Sequence, residues 1–304
     1  MKKILVTGSN GLLGQKLTER ILAQNDFELI ATSKGANRYT TKEGYTYASM
    51  DIADRESVEE VINTYLPDVV INTAAMTNVD TCEIEKDLCW QLNVTAVANL
   101  IAACAPHHIQ LIHLSTDFIF DGADGPYLED AEPNPLSYYG ESKLAAEKLL
   151  EESNIHWTIL RTIIVYGIVN DMSRSNIVLW AKGALEKGAP INVVDDQWRM
   201  PTLAEDLAEI CLLAAAKGAQ GIYNASGKDM MSIVELVEQV ADFYQLDKSL
   251  IQSISTASLD QTAKRPVKTG FILDKSINEL GYQPHSFLEG LKIMDQQISA
   301  RKTN

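Results

Sequence analysis

Cationic side chains are in short supply in this chain. Its 26 Lys and Arg face 41 Asp and Glu, for a formal net charge of −15. Such a surface repels phosphate backbones and anionic lipid, so neither nucleic acid nor membrane is expected as a partner. Cysteine is sparse as well. Cys82, Cys89, Cys104 and Cys211 form no CxxC pair and stand at no zinc spacing to histidine. Scattered through apolar stretches, they read as buried free thiols of a reducing compartment. No uninterrupted apolar run approaches ~18 residues, so no transmembrane helix is expected. The apolar run after Lys2-Lys3 is too short for a signal peptide, and a cytoplasmic location is the expectation. With 9 prolines and 17 glycines, collagen-like and low-complexity readings fail. No internal repeat and no linker rich in Pro, Gly and Ser interrupts the 304 residues. The remainder, 46% apolar and 22% charged, is ordinary globular composition, enough for one large domain or two small ones.

Apolar strand patterns alternate with helical ones. Strands are expected at 3–7, 27–33, 67–74, 109–115 and 157–165, with a short one at 45–50. Helices are expected at 12–23, 57–65, 83–105, 137–152, 203–216 and 233–243. Nearly continuous apolar strands between helices argue for a parallel sheet covered on both faces. The alternation loosens after about Gly167. This predicts an α/β fold: a Rossmann-type doubly wound parallel sheet with a smaller C-terminal substrate lobe. The division is 1–167 for dinucleotide binding and 168–304 mainly for substrate, with 203–226 returning to the sheet.

Gly8, Gly11 and Gly14 form GxxGxxG between the first strand and the first helix, with Asn10 and Leu12 inside the motif. Glycine permits the sharp bend and lets backbone approach a pyrophosphate, which the helix N-terminus then attracts. About twenty residues later an NAD site places Asp or Glu on the ribose hydroxyls. Ser33 and Lys34 stand there instead, with Arg38 just beyond, a set suited to the extra phosphate of NADP. NADPH is therefore favoured, with NADH the alternative. Asp51-Ile52 offers either an acceptor for the adenine amino group or a helix N-cap. The small residues Thr73, Ala74 and Ala75 after Asn72 leave room for a cofactor against the backbone.

Tyr139 and Lys143 form YxxxK on one face of a helix. An adjacent ammonium is expected to lower the phenol pKa from ~10. Ser115-Thr116-Asp117 ends a strand where sheet enzymes place their sites, and Thr116 offers a hydroxyl to a substrate carbonyl. His107-His108, His113, His156 and His285 read as structural or solvated, since no third ligand stands at metal spacing. The terminal residues 301–304 read as a frayed tail.

The order of these motifs resembles the extended short-chain dehydrogenase/reductases, and more narrowly the dTDP-4-dehydrorhamnose reductase family. Carrying the resemblance are TGSNGLLG at 7–14, Asn72–Ala75 with Val79-Asp80, LSTDFIFDG at 114–122 and YxxxK. Arg161-Thr162, Val165-Tyr166-Gly167, Asp196-Gln197, Pro201-Thr202 and Arg265-Pro266 continue it. The resemblance implies that Thr116 binds the substrate carbonyl, Tyr139 gives it a proton, and Lys143 holds the nicotinamide ribose. Asn93 resembles the Asn that supports the proton relay. Asp117, Asn176, Gln197, Arg199 and Arg265 are the further substrate candidates, for a nucleotide-linked 4-keto-6-deoxyhexose. No metal is required, and a homodimer is implied at family level. Two departures fall on the substrate side: Ile164 stands where the family carries a Trp, and Arg199 replaces the Gly of DQxGxPT. They leave open another keto-sugar reductase, or a non-catalytic NADP-binding subunit like the beta subunit of methionine adenosyltransferase. Phe118 after Asp117 counts against a 4,6-dehydratase, which carries Asp-Glu there.

Overall fold

In the computed structural model, which describes residues 1–170, 175–259 and 261–302, strand and helix alternate through the first half. The chain runs β1 (Lys2–Thr7), α1 (Leu12–Gln24), β2 (Phe27–Ser33), β3 (Thr46–Ser49), α2 (Arg55–Tyr65) and β4 (Val69–Asn72). The short helices α3 (Val79–Ile84), α4 (Lys86–Trp90) and α5 (Ala96–Cys104) precede β5 (Gln110–Thr116), α6 (Tyr138–Glu151) and β6 (Trp157–Thr162). Next come β7 (Val165–Tyr166), α7 (Ile177–Glu186), β8 (Ile191–Val194), β9 (Trp198–Arg199), β10 (Thr202–Leu203) and α8 (Ala204–Lys217). Last are β11 (Gly221–Asn224), β12 (Met231–Ser232), α9 (Ile233–Tyr244), β13 (Ile251–Ile254) and α10 (Phe287–Lys302).

Seven strands form one sheet in the order β11-β6-β5-β4-β1-β2-β3, every pairing parallel. The fold is therefore Rossmann-like α/β. Strand side chains alternate between faces, and both faces are apolar. Ile4, Val6 and Ile71 join α1 and α8 in one core, while Leu5, Val70 and Leu111 join α2, α5 and α6 in the other. A third core, centred on Val178, Val193, Leu236 and Leu291, belongs to the C-terminal region. The order reverses between β1 and β4, which opens a crevice at the strand carboxyl ends. That crevice is where ligands of open parallel sheets bind.

Two expected elements are broken. The single helix over 83–105 is interrupted at Glu85, whose backbone (φ −106, ψ 58) leaves the helical region. A π-helical turn at Gln91–Thr95 then separates α4 from α5. By length and composition alone, Lys86–His107 is apolar enough to cross a membrane; here Ala96, Val97 and Leu100 pack in the sheet core. The strand over 157–165 stops at Thr162. Ile164 takes φ +31, a strained value for a β-branched residue, and Thr202 holds the turn through bonds to Ile163 O (2.7 Å) and Ile164 O (3.0 Å). The tail is anchored as far as Arg301, which donates to Val169 O (2.5 Å) and Asn170 Oδ1 (3.0 Å); residues 303–304 lie outside the described residues.

Candidate active site

The glycine turn joins β1 to α1 at the reversal point. Gly8 adopts φ +64, and a Cβ on Gly14 would meet Gly8 O and Ser9 Cα at 2.5 Å, so both positions demand glycine. Among the described residues no side chain caps Gly11 at the start of α1, and the first turn holds no acid. The helix N-terminus is thus open to an anion. Beside it lies a cavity of about 300 Å³ that gathers Gly8, Asn10, Gly11, Ser33, Lys34, Arg38, Asp51, Ile52, Thr73, Ala74 and Ala75. Leu12 and Gly14 follow on α1. Asn10 ties the glycine turn to the loop after β2, accepting from Arg38 N (2.8 Å) and donating to Ala36 O (2.9 Å). Asp51 pairs with Lys34 (2.7 Å), which holds its carboxyl below the usual range. The cap of α2 is Asp54, accepting from Glu56 N, so the N-cap alternative for Asp51 falls. An open helix end, a glycine cradle and two cations at the rim fit a nicotinamide dinucleotide phosphate.

Thr116 ends β5, and Tyr139 stands in the first turn of α6, which Ser137 caps. The two side chains meet. Thr116 lies beside the Tyr139 phenol; its Oγ1 accepts from Phe118 N (3.2 Å) and donates to Asp117 Oδ1 (3.1 Å). Tyr139 is buried, with Phe118 packed edge-on at 5.7 Å between ring centres. Burial pushes its phenol well above the ordinary value of 10, and Asp117 adds to the push. This corrects the expected tuning by Lys143. The lysine Nζ is committed elsewhere, to His113 Nε2 (2.9 Å) and Leu114 O (2.6 Å), and burial lowers its own pKa to about 8.

Asn93 sits in the π-helical turn, and its hydrogen bonds go to residues other than Lys143. Its amide bonds Met76 N (2.8 Å), Met76 O (3.0 Å) and Ser142 Oγ (3.0 Å). The lysine's side-chain partner is instead His113, so this histidine is more than the structural or solvated residue that its sequence context suggests. The available signal was a histidine inside an apolar strand.

The substrate candidates are drawn together only in part, and their polar atoms are largely satisfied within the protein. Arg199, 2% exposed, donates to Trp198 O (2.7 Å), Pro266 O (2.6 Å) and Gln197 Oε1 (3.3 Å), and its Nε lies 3.6 Å from Asp117. Asp117 also accepts from Thr269 Oγ1. Gln197 donates to Thr256 Oγ1 (2.9 Å). Arg265 grips Asp80 (2.6 Å), joining the start of α3 to the 263–265 segment. Asn176 caps α7, accepting from Val178 N and Leu179 N and donating to Gly167 O (2.7 Å). Asn176→Ala is therefore expected to lose about 1 kcal/mol of stability in a urea melt. An unchanged melt with weakened substrate binding would restore the ligand role.

A family model described as the RmlD substrate binding domain matches residues 1–299. Among curated relatives, a probable low-salt glycan biosynthesis reductase of Haloferax volcanii is 31% identical over 299 residues, covering 97% of each chain. Methionine adenosyltransferase 2 subunit beta of Bos taurus is 30% identical over 270 residues, 87% of this chain and 78% of that one. The crystal structure of a dTDP-4-dehydrorhamnose reductase from Clostridium acetobutylicum superposes with a TM-score of 0.86 at 28% identity, covering 98% and 99% of the two chains. The Bacillus anthracis enzyme in complex with NADP gives 0.83 at 26% identity, covering 98% and 100%.

Proposed function

We propose, for a chain that belongs to the RmlD substrate-binding domain family, that it reduces the 4-keto group of a nucleotide-linked 6-deoxyhexose with NADPH in the cytoplasm. The first substrate to test is dTDP-4-dehydro-L-rhamnose. The observation that carries the reading is the buried Thr116–Tyr139 couple at the carboxyl end of β5, on the same sheet edge as the glycine cradle after β1, with β4 between the two strands. A bound nicotinamide supplies the hydride. The chain's own part is to hold and deliver a proton. Thr116 Oγ1 faces the carbonyl oxygen, where negative charge develops, and Tyr139 transfers its phenol proton to that oxygen. Burial keeps the phenol protonated through neutral pH, the state an acid requires. Lys143, held against β5, orients toward the nicotinamide ribose.

Absorbance at the nicotinamide band tests the reading. Protein and NADPH are mixed with dTDP-4-keto-6-deoxyglucose, with and without the epimerase that makes the rhamnose precursor. Oxidation only with the epimerase supports the rhamnose assignment. Oxidation without it moves the substrate to another keto sugar. No oxidation by a protein that binds NADPH favours a second reading, an NADP-binding regulatory subunit. The internally satisfied Asn176, Gln197 and Arg199 support that alternative, and its signature is a stoichiometric partner on purification.

Lys34 and Arg38 line the cofactor cavity and stand where a ribose phosphate is read. Replacing both by alanine is expected to raise the KM for NADPH roughly tenfold or more, the worth of one charged hydrogen bond. The KM for NADH should be unchanged. Equal losses for both cofactors would remove the phosphate assignment.

A further inference from the structure

Three polar side chains occupy places in the sheet interior where apolar ones are normal. Thr7, Asn72 and His113 are register partners across β1, β4 and β5, and none is more than 1% exposed. They touch in sequence: Thr7 Oγ1 to Asn72 Oδ1 at 2.6 Å, Asn72 Nδ2 to His113 Nδ1 at 3.1 Å, and His113 Nε2 to Lys143 Nζ at 2.9 Å. The far end lies in the cofactor cradle, where Ala74 N donates to Thr7 Oγ1 (3.3 Å) and Thr73 Oγ1 to Thr7 O (2.6 Å). Burying such a row costs free energy that an apolar row would not. Its retention calls for something that it holds.

What it holds is an amine without a carboxylate of its own. Glu147, on the same helix as Lys143, acts on it through its charge but accepts its hydrogen bonds from Arg161 (2.7 Å). Cys89 on α4 is a thiol, and Asp117 faces Tyr139 and Arg199. We propose that His113 is the positioning residue of this site: its neutral ring accepts a hydrogen bond from the Lys143 ammonium at Nε2, and Asn72 and Thr7 set the ring's tautomer from the cofactor cradle.

The chemistry is self-consistent. Burial and the neighbouring lysine hold His113 well below the ordinary histidine range, so the ring is neutral. A neutral ring that accepts at Nε2 carries its proton on Nδ1. The Asn72 amide then turns its oxygen to His113 and its nitrogen to Thr7, a flip that leaves the heavy-atom contacts in place. With Leu114 O and His113 taking two ammonium hydrogens, the direction of the third is fixed. Asn93, bound to Met76 and Ser142, does not share this task.

This inference rests on the reductase reading only for its kinetic consequence. Its test begins with the protein alone, by NMR of 15N-histidine and 13Cε-lysine, with Lys143→Met to assign the signal. The expected wild-type ring has Nδ1 protonated and Nε2 bare, and does not titrate across about pH 6–7. Lys143 is expected to titrate near about 8. His113→Leu removes the acceptor and should lower that pKa by about one unit, a tenfold change in acid dissociation. His113→Gln keeps an acceptor and should hold it near the wild-type value. In turnover, the alkaline limb should move down in His113→Leu and stay in His113→Gln, with kcat falling up to about 100-fold in the leucine variant. A protonated Nε2 at neutral pH overturns the proposal. So does a Lys143 titration that His113→Leu leaves in place or that both variants shift equally. If the leucine variant does not fold, the wild-type tautomer and the glutamine variant decide. Absence of wild-type turnover, with the NMR results as expected, counts against the reductase reading and not against the lysine's holder.

Discussion

Tyr139→Phe is expected to cut turnover by about 100- to 10,000-fold, the worth of a positioned general acid, while NADPH affinity and thermal stability stay unchanged. The phenol lies beside Thr116, and the ring's packing against Phe118 survives without the hydroxyl. Fluorescence titration with NADPH and a melt of the variant separate loss of chemistry from loss of fold. The pH profile adds a second check. Burial raises the phenol well above its ordinary value, so the acid keeps its proton throughout neutral pH and contributes no limb there. The amine of Lys143 is lowered to about 8. It is charged below that pH and neutral above, so turnover should fall as pH rises through about 8. A variant that keeps most of its rate would show that another group gives the proton, and a profile flat through that range would show that turnover does not depend on the charge of Lys143.

The parts of this molecule legible in the sequence are those whose cause is local. β2 begins and ends where the apolar run 27–33 does. The glycine turn follows from spacing, because Gly8 takes φ +64 by its own backbone and a Cβ on Gly14 would meet Gly8 O and Ser9 Cα close by in the chain. Thr116 and Tyr139 meet because a strand end and a helix start in such a fold adjoin one crevice. What was illegible depends on distant partners. Arg199 looks like a phosphate ligand until the 266–267 carbonyls close on it. Asn176 looks like a sugar ligand until α7 begins beside it. The breaks at Glu85 and Ile164 replace periodic patterns that are themselves unbroken, since long-range packing there overrides local preference. His113 was legible only as an anomaly, because its partners Asn72 and Lys143 lie 41 and 30 residues away.

Arg199→Met should be costly in a pH-dependent way. The guanidinium and Asp117 form a buried pair, 2% and 3% exposed at their side chains, with 3.6 Å between Nε and Oδ2. Removing one partner leaves the other charge buried and uncompensated, at a cost of about 3–5 kcal/mol. It also leaves the Pro266 carbonyl without its donor. Burial already raises the Asp117 pKa, and Arg199 pulls it back down. Without the arginine the folded-state value moves further above the unfolded one. A carboxyl raised in this way favours the folded state below the unfolded pKa, and that contribution disappears as pH rises through the folded value. The deficit of the variant relative to wild type should therefore be largest at pH 7 and smaller in mild acid, where Asp117 takes up a proton. Urea melts of both proteins at the two pH values measure it. Adding Asp117→Asn should recover part of the loss at pH 7 and little in acid, because the amide needs no countercharge. A deficit equal at both pH values would mean that Arg199 acts through its bonds to the 266–267 carbonyls and not through the charge of Asp117. The Thr116 hydroxyl, bonded to Asp117 and lying beside Tyr139, would then be electrostatically independent of the residue that distinguishes this chain's DQWRMPT segment.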